Sequence, residues 1–189
     1  MERLKKHLKD TYQLSNYQIA QLAYVLKTFT SELSKMLIMI ILFHRRLPAY
    51  LFSLFIMLFL RCSTGGLHFY TYAGCLLASI TYIYFAIFIL PNLLLPAFMQ
   101  LLLLLLCVVV CYHIGPVVSK YRAKPSQTLF TRGRNTTCTF IFIYALILYI
   151  MPANHLMNVG FWVIILHSLQ LIIAKIKKKG DGLSWFPKS

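Results

Sequence analysis

Acidic residues are almost missing from this chain. Glu2, Asp10, Glu32 and Asp181 are the whole complement among 189 residues, against 19 Lys and Arg, which leaves a formal charge of +15. Charged residues of both signs make up only 12% of the sequence, too little polar surface to coat a soluble globule of this length. The five cysteines, Cys62, Cys75, Cys107, Cys111 and Cys138, are an odd number in no framework spacing, which argues against a disulfide scaffold. No repeat recurs at a solenoid period, and nothing suggests a second, soluble domain. A cleavable signal peptide is not apparent either: the first apolar stretch begins near Leu33 after a long polar lead and ends in His44-Arg45-Arg46 without a small-residue cleavage site. The N-terminus is therefore expected to stay in the mature protein.

What fills the chain instead is apolar. Hydrophobic residues reach 59% and the mean hydropathy is +0.71, so the expected fold class is an all-α, multi-spanning transmembrane protein. The basic excess belongs mainly at a membrane face, where it meets anionic lipid head groups or an acidic peptide partner. Nucleic acid is not an expected partner, because the basic residues are spread among spanning segments and form no folded basic module.

Residues 1–29 read as an amphipathic interfacial region, with a capping box at Ser15 and Gln18 followed by Ile19, Leu22, Leu26, Phe29 and Leu33 at intervals of three or four. Six apolar segments follow, at roughly 30–43, 48–60, 75–90, 97–118, 137–151 and 156–174. They are separated by His44 to Pro48, Pro91 to Pro96, and Pro152 to His155. The second segment is short for a span and is expected to be tilted, or to continue past Arg61. Residues 30–174 thus read as one transmembrane domain, in which any catalytic residues are to be sought, and 175–189 as a basic cytoplasmic tail. With the N-terminus inside, five basic residues before residue 30, Arg61, five between Lys120 and Arg134, and five from Lys175 onward face the cytoplasm, leaving only Lys35, Arg45 and Arg46 of the 19. The positive-inside rule then places both termini, and residues 63–74, on the cytoplasmic side.

His68 and Cys75 are the pair that combines a nucleophile, a base and local backbone irregularity at one membrane edge. A cysteine attacks as the thiolate, a neighbouring imidazole takes its proton, and the imidazolium returns that proton to a leaving amine. In one straight helix their separation of seven residues would place them on the same face about 10 Å apart, too far for a hydrogen bond. A break is needed between them. Gly65-Gly66 before the histidine and Gly74 before the cysteine give the chain freedom to turn. Taken alone, a histidine and a cysteine at this spacing read more readily as an interfacial polar residue and a small helix filler.

The surrounding residues resemble the accessory gene regulator B (AgrB) family, the membrane endopeptidases of bacterial quorum sensing. The resemblance rests on Arg61 followed by Gly65, Gly66, His68 and Cys75 after two apolar segments, and on Gly115-Pro116 leading into a basic loop from Lys120 to Lys124-Pro125. Many members carry a second basic residue where this chain has Cys62. The resemblance implies that His68 and Cys75 are the catalytic pair of a cysteine endopeptidase in a bacterial cell membrane. It also implies a small AgrD-like propeptide as substrate, cleaved in its C-terminal part through a thioester in the making of a cyclic autoinducing peptide. Arg61, Lys120, Arg122 and Lys124 are the residues expected to hold an acidic substrate. No cofactor or metal is expected, and a homodimer suits such a membrane protein.

Two rival readings stand beside it: a small peptide transporter or exporter without covalent chemistry, and a structural membrane protein that organises partners through its basic loops. Both predict that Cys75 can become serine without loss of function. The other polar residues read as structure. Cys107, Cys111 and His113 lack a fourth metal ligand, Cys138, His155 and His167 have no partner in the sequence, Glu32 and Lys35 suit a helix-surface ion pair, and Lys175 to Lys179 suit an interfacial anchor.

Overall fold

The computed structural model describes residues 16–65, 71–93, 95–117, 127–151 and 154–182. Six α-helices carry almost all of them: α1 Asn16–Leu42, α2 Leu47–Thr64, α3 Tyr72–Tyr84, α4 Ala97–Ile114, α5 Gln127–Ile150 and α6 His155–Gly182. Among the described residues the one strand-like pairing is an isolated parallel bridge between Gly65 and Val117. The chain is all-α, as its composition requires.

Two compact units meet at His44–Arg45. The first is built on α1, a single helix where the sequence suggests an interfacial region followed by a first apolar segment. Ser15, half of the expected capping box, lies outside the described residues, and the helix begins at Asn16. Along α1 the ammonium of Lys35 donates to the Glu32 carboxylate at 2.5 Å, the ion pair expected at that spacing.

Five helical stretches from His44 onward are long and apolar enough to cross a membrane: His44–Thr64, Tyr72–Asn92, Ala97–Ile114, Gln127–Ile150 and His155–Lys177. Proline marks several of their ends. Pro48 sits in the first turn of α2, where its missing N–H costs no hydrogen bond. Past Tyr84, α3 widens into a π-turn at Phe85–Ile89 and tightens into a 3-10 turn at Leu90–Asn92. Pro91 accounts for the change, because its ring lacks the donor that the carbonyl four residues back would need. α4 starts directly after Pro96. The second apolar segment is not short after all: α2 continues through Arg61 to Thr64.

α5 departs from expectation at its start. Residues 127–136, which precede the apolar segment expected from 137, are its first turns, so Arg132 and Arg134 ride on a helix. Polarity alone does not break a helix, and packing holds this one in place. A Cβ on Gly133 would collide with the Ser63 carbonyl oxygen at the end of α2, so α5 approaches α2 backbone to backbone.

α6 is the central helix. It packs against α2, α4, α5 and the last turns of α3, and Val159, Phe161, Val163, Ile164, His167 and Leu171 along it are fully buried. The outer helices turn Leu51, Phe55, Leu102, Leu106, Leu146 and Ile150 outward, the arrangement of a protein whose solvent is lipid. Polar contacts fix the two ends of the second unit. At one end the Asn158 amide donates to Pro91 O at 3.1 Å and the Tyr144 hydroxyl to Met157 O at 2.6 Å. At the other end the exits of α2, α4 and α6 and the start of α5 come together.

Candidate active site

The site is built from the end of α2 and the start of α3. α2 stops because Gly65 adopts φ +76° and ψ −149°, a conformation open essentially to glycine, while its N–H still donates to Arg61 O at 2.9 Å. A side chain here is excluded twice over, since a Cβ would also collide with the Val117 carbonyl oxygen. Val117 lies just beyond α4, which ends at Ile114 with the Gly115 N–H donating to Cys111 O at 3.0 Å. The peptide bond between Gly115 and Pro116 is cis. The Val117 N–H donates to Thr64 O at 2.9 Å, so the exits of α2 and α4 run side by side.

Across the connection, Thr71 caps α3. Its hydroxyl accepts the Gly74 N–H at 3.1 Å and its carbonyl accepts the Cys75 N–H at 3.1 Å. Cys75 is thereby held in the first turn of α3, half-buried and in no disulfide. Gly74, expected to help the turn, is helical instead, and the interruption between positions 68 and 75 is made by the Thr71 cap. Gly66 and His68 lie outside the described residues, as do Lys120, Arg122 and Lys124. Both ends of the segment that carries His68 are fixed: Gly65 against Val117, and Thr71 on α3.

The hydroxyls nearest to that segment are already engaged. Ser63 Oγ donates to Phe59 O at 3.1 Å and Thr64 Oγ1 to Leu60 O at 2.8 Å, each within α2. Neither has a proton left to give to an imidazole. Arg61 is half-buried one turn before Gly65, and its Nε has no hydrogen-bond partner among the described residues. Two more basic residues brace the same end. The Arg134 guanidinium lies 4.3 Å above the Tyr112 ring, and Lys175 Nζ donates to His113 O at 3.4 Å, where the last turn of α4 leaves carbonyls unpaired. Cys62 is exposed, whereas Cys107 and Cys111 are buried in α4, with Cys111 Sγ 3.7 Å from Ser168 Oγ. An open groove of about 950 Å³ runs along α5 beside Phe59, lined by Thr128, Thr131, Arg132, Asn135 and Thr139 and floored by Phe140, which stacks on Phe59 at 4.4 Å.

Sequence reasoning left His167 without a partner. The structure gives it one 103 residues away: its Nε2 lies 2.9 Å from Thr64 Oγ1. Nothing local in the sequence signals this pairing beyond the oddity of a histidine amid the apolar residues of α6.

The accessory gene regulator B family profile matches residues 1–171 of this chain. The chain belongs to the AgrB family. An AgrB-like protein of Clostridium beijerinckii is 39% identical over 71 residues, covering 36% of each chain, so the match spans about a third of that relative's length. No solved structure matches the chain. AgrB membership and five apolar helices of crossing length together make it a multi-pass membrane protein.

Proposed function

We propose that this AgrB-family chain is a membrane cysteine endopeptidase of quorum sensing, which cleaves the C-terminal part of a small AgrD-like propeptide. The observation that carries the reading is the interrupted helix: Cys75 sits in the first turn of α3, and the segment with His68 joins it to the glycine-terminated end of α2. A straight helix would hold the two side chains apart; a connection anchored at both ends allows them to meet. The first turn of a helix also carries the positive end of its dipole, which suits the negative charge of a thiolate or of a tetrahedral intermediate.

In this mechanism His68 takes the proton of the Cys75 thiol, and Sγ attacks the scissile carbonyl carbon. The C–N bond breaks, His68 returns the proton to the departing amine, and an acyl-enzyme thioester remains. A thiol within the propeptide then displaces Cys75 by exchange, closing a ring without loss of acyl activation, whereas water would give a linear product. Lys120, Arg122 and Lys124, with Arg61, attract the acidic part of the propeptide. Both termini lie in the cytoplasm, which requires α1 to cross the membrane in addition to the five apolar helices.

The test is cleavage of a purified propeptide by the full chain in lipid vesicles. Cys75→Ala and His68→Ala should each abolish cleavage with membrane insertion intact, while Cys62→Ala keeps most of the activity. An active Cys75→Ala protein would refute the reading, and an inactive Cys62→Ala with an active Cys75→Ala would move the nucleophile to Cys62.

A further inference from the structure

Beneath the proposed site, α6 is bonded to both helices that carry it. On one side the buried Thr64 hydroxyl at the end of α2 meets His167 Nε2 at 2.9 Å. On the other, the Tyr82 hydroxyl of α3 donates to Val163 O at 2.6 Å. Val163 and His167 are four residues apart, hence neighbours on one face of α6. The segment bearing His68 leaves α2 directly after Thr64, and Cys75 stands seven residues before Tyr82 on α3. One face of α6 is therefore bonded to both helices that flank the segment bearing His68.

The chemistry of the Thr64 contact fixes its direction. With the Thr64 hydroxyl donating to Leu60 O, it accepts from His167, whose proton then sits on Nε2. Nδ1 is then an acceptor, buried and without a hydrogen-bond partner among the described residues. A fully buried imidazole with half of its capacity unmet is an expensive way to fill a helix interface. A leucine would pack there at less cost, so the polar contact itself is what the position provides.

We propose that His167 is a positioning residue for the His68–Cys75 reaction: through its bond to Thr64 it holds the end of α2 and the Gly65 turn, the point from which the chain leads on to His68, relative to α3. The inference rests on the reading of His68 and Cys75 as the reacting pair. His167 touches neither substrate nor thiol. Its effect is exerted through Thr64 and the Gly65 turn.

Two measurements on the full chain in vesicles test this: cleavage kinetics, and the rate at which iodoacetamide alkylates Cys75 at pH 7, followed by mass spectrometry of the peptide that contains it. His167→Leu removes the donor, the isosteric Thr64→Val removes the acceptor if the leucine variant folds poorly, and His167→Gln keeps an N–H donor near the position of Nε2. Thr64→Val and His167→Leu should lower kcat on the order of tenfold to a hundredfold, as a misplaced reacting group does, with KM nearly unchanged. Cys75 alkylation should slow toward the rate of His68→Ala, His167→Gln should recover most of both losses, and the double variant should be no worse than either single one. Alkylation at the unaltered rate in both Thr64→Val and His167→Leu would overturn the positioning role, as would a His167→Gln protein as impaired as His167→Leu. If His68→Ala itself leaves alkylation unchanged, the pair is wrong and this inference falls with it.

Discussion

Gly65→Ala puts the turn under the most direct strain a single methyl group can apply. An alanine at φ +76° and ψ −149° occupies a region that L-residues avoid, at a cost of about 1–3 kcal/mol. The added Cβ would meet the Val117 carbonyl oxygen, so the two chain exits must separate. Separation breaks the Val117 N–H to Thr64 O bond, worth about 1 kcal/mol net. The total of about 2–4 kcal/mol is well short of unfolding a bundle with a continuous apolar core. At about 2–4 °C per kcal/mol, the loss should appear as a fall in Tm of roughly 4–16 °C in detergent. The catalytic loss should be larger in proportion, because a shift of about 1 Å in the segment bearing His68 costs on the order of a hundredfold in rate. The assay is propeptide cleavage by vesicle-reconstituted protein, read beside thermal unfolding and an insertion check. Val117→Pro, which deletes the N–H without adding a Cβ at Gly65, should fall between the two. Cleavage by Gly65→Ala within about twofold of the unaltered rate would refute the argument that this turn sets the site.

Gly133→Leu should separate α5 from α2 at the Ser63 carbonyl and lower thermal stability by several degrees, which unchanged melting would contradict. Single-cysteine labelling from each side of the membrane should find position 127 and the tail facing the cytoplasm and residues 91–96 facing out; modification of position 127 from outside would reverse the orientation derived from the basic residues. Neutralising Lys120, Arg122 and Lys124 together should raise KM for an acidic-tailed propeptide far more than for a neutral-tailed one, with a gap that narrows as salt is added. Equal loss on both peptides, with orientation preserved, would leave those residues a lipid-contact role alone.

Much of the helical layout is legible because proline and glycine punctuate it. Pro48, Pro91 to Pro96 and Gly115-Pro116 fall at observed helix boundaries, and each acts through a local rule that needs no partner. The start of α5 is not legible. Thr131 to Thr137 is as polar as a loop, and what holds it helical is the approach of Gly133 to Ser63, seventy residues earlier in the chain. The same limit hides the Thr64–His167 contact, since hydrogen bonds between distant helices leave no periodic trace in either one. At the candidate site the break between positions 68 and 75 can be foreseen from spacing, but its construction cannot. Among the described residues one half of the break is the Gly65 turn, and the other is a threonine cap that looks like any other polar residue before an apolar run.

Irregular backbone at a membrane face survives only where its polar groups are satisfied, and the helix ends around Cys75 satisfy theirs from within the chain. Thr64 O takes the Val117 N–H, the Gly65 and Gly115 N–H groups return to their own helices, and Thr71 serves the amides of both Gly74 and Cys75. The orphaned carbonyl of His113 receives Lys175. None of these contacts depends on a carboxylate, in a chain that has only four. This bears on the proposed pair, because the acidic residue nearest to His68 in the sequence is Glu32, and in the proposed reading the imidazole is oriented by the backbone that carries it. On that reading, a turn that only glycine can make, latched to a neighbouring helix exit and backed by a buried histidine, is where the constraint enters.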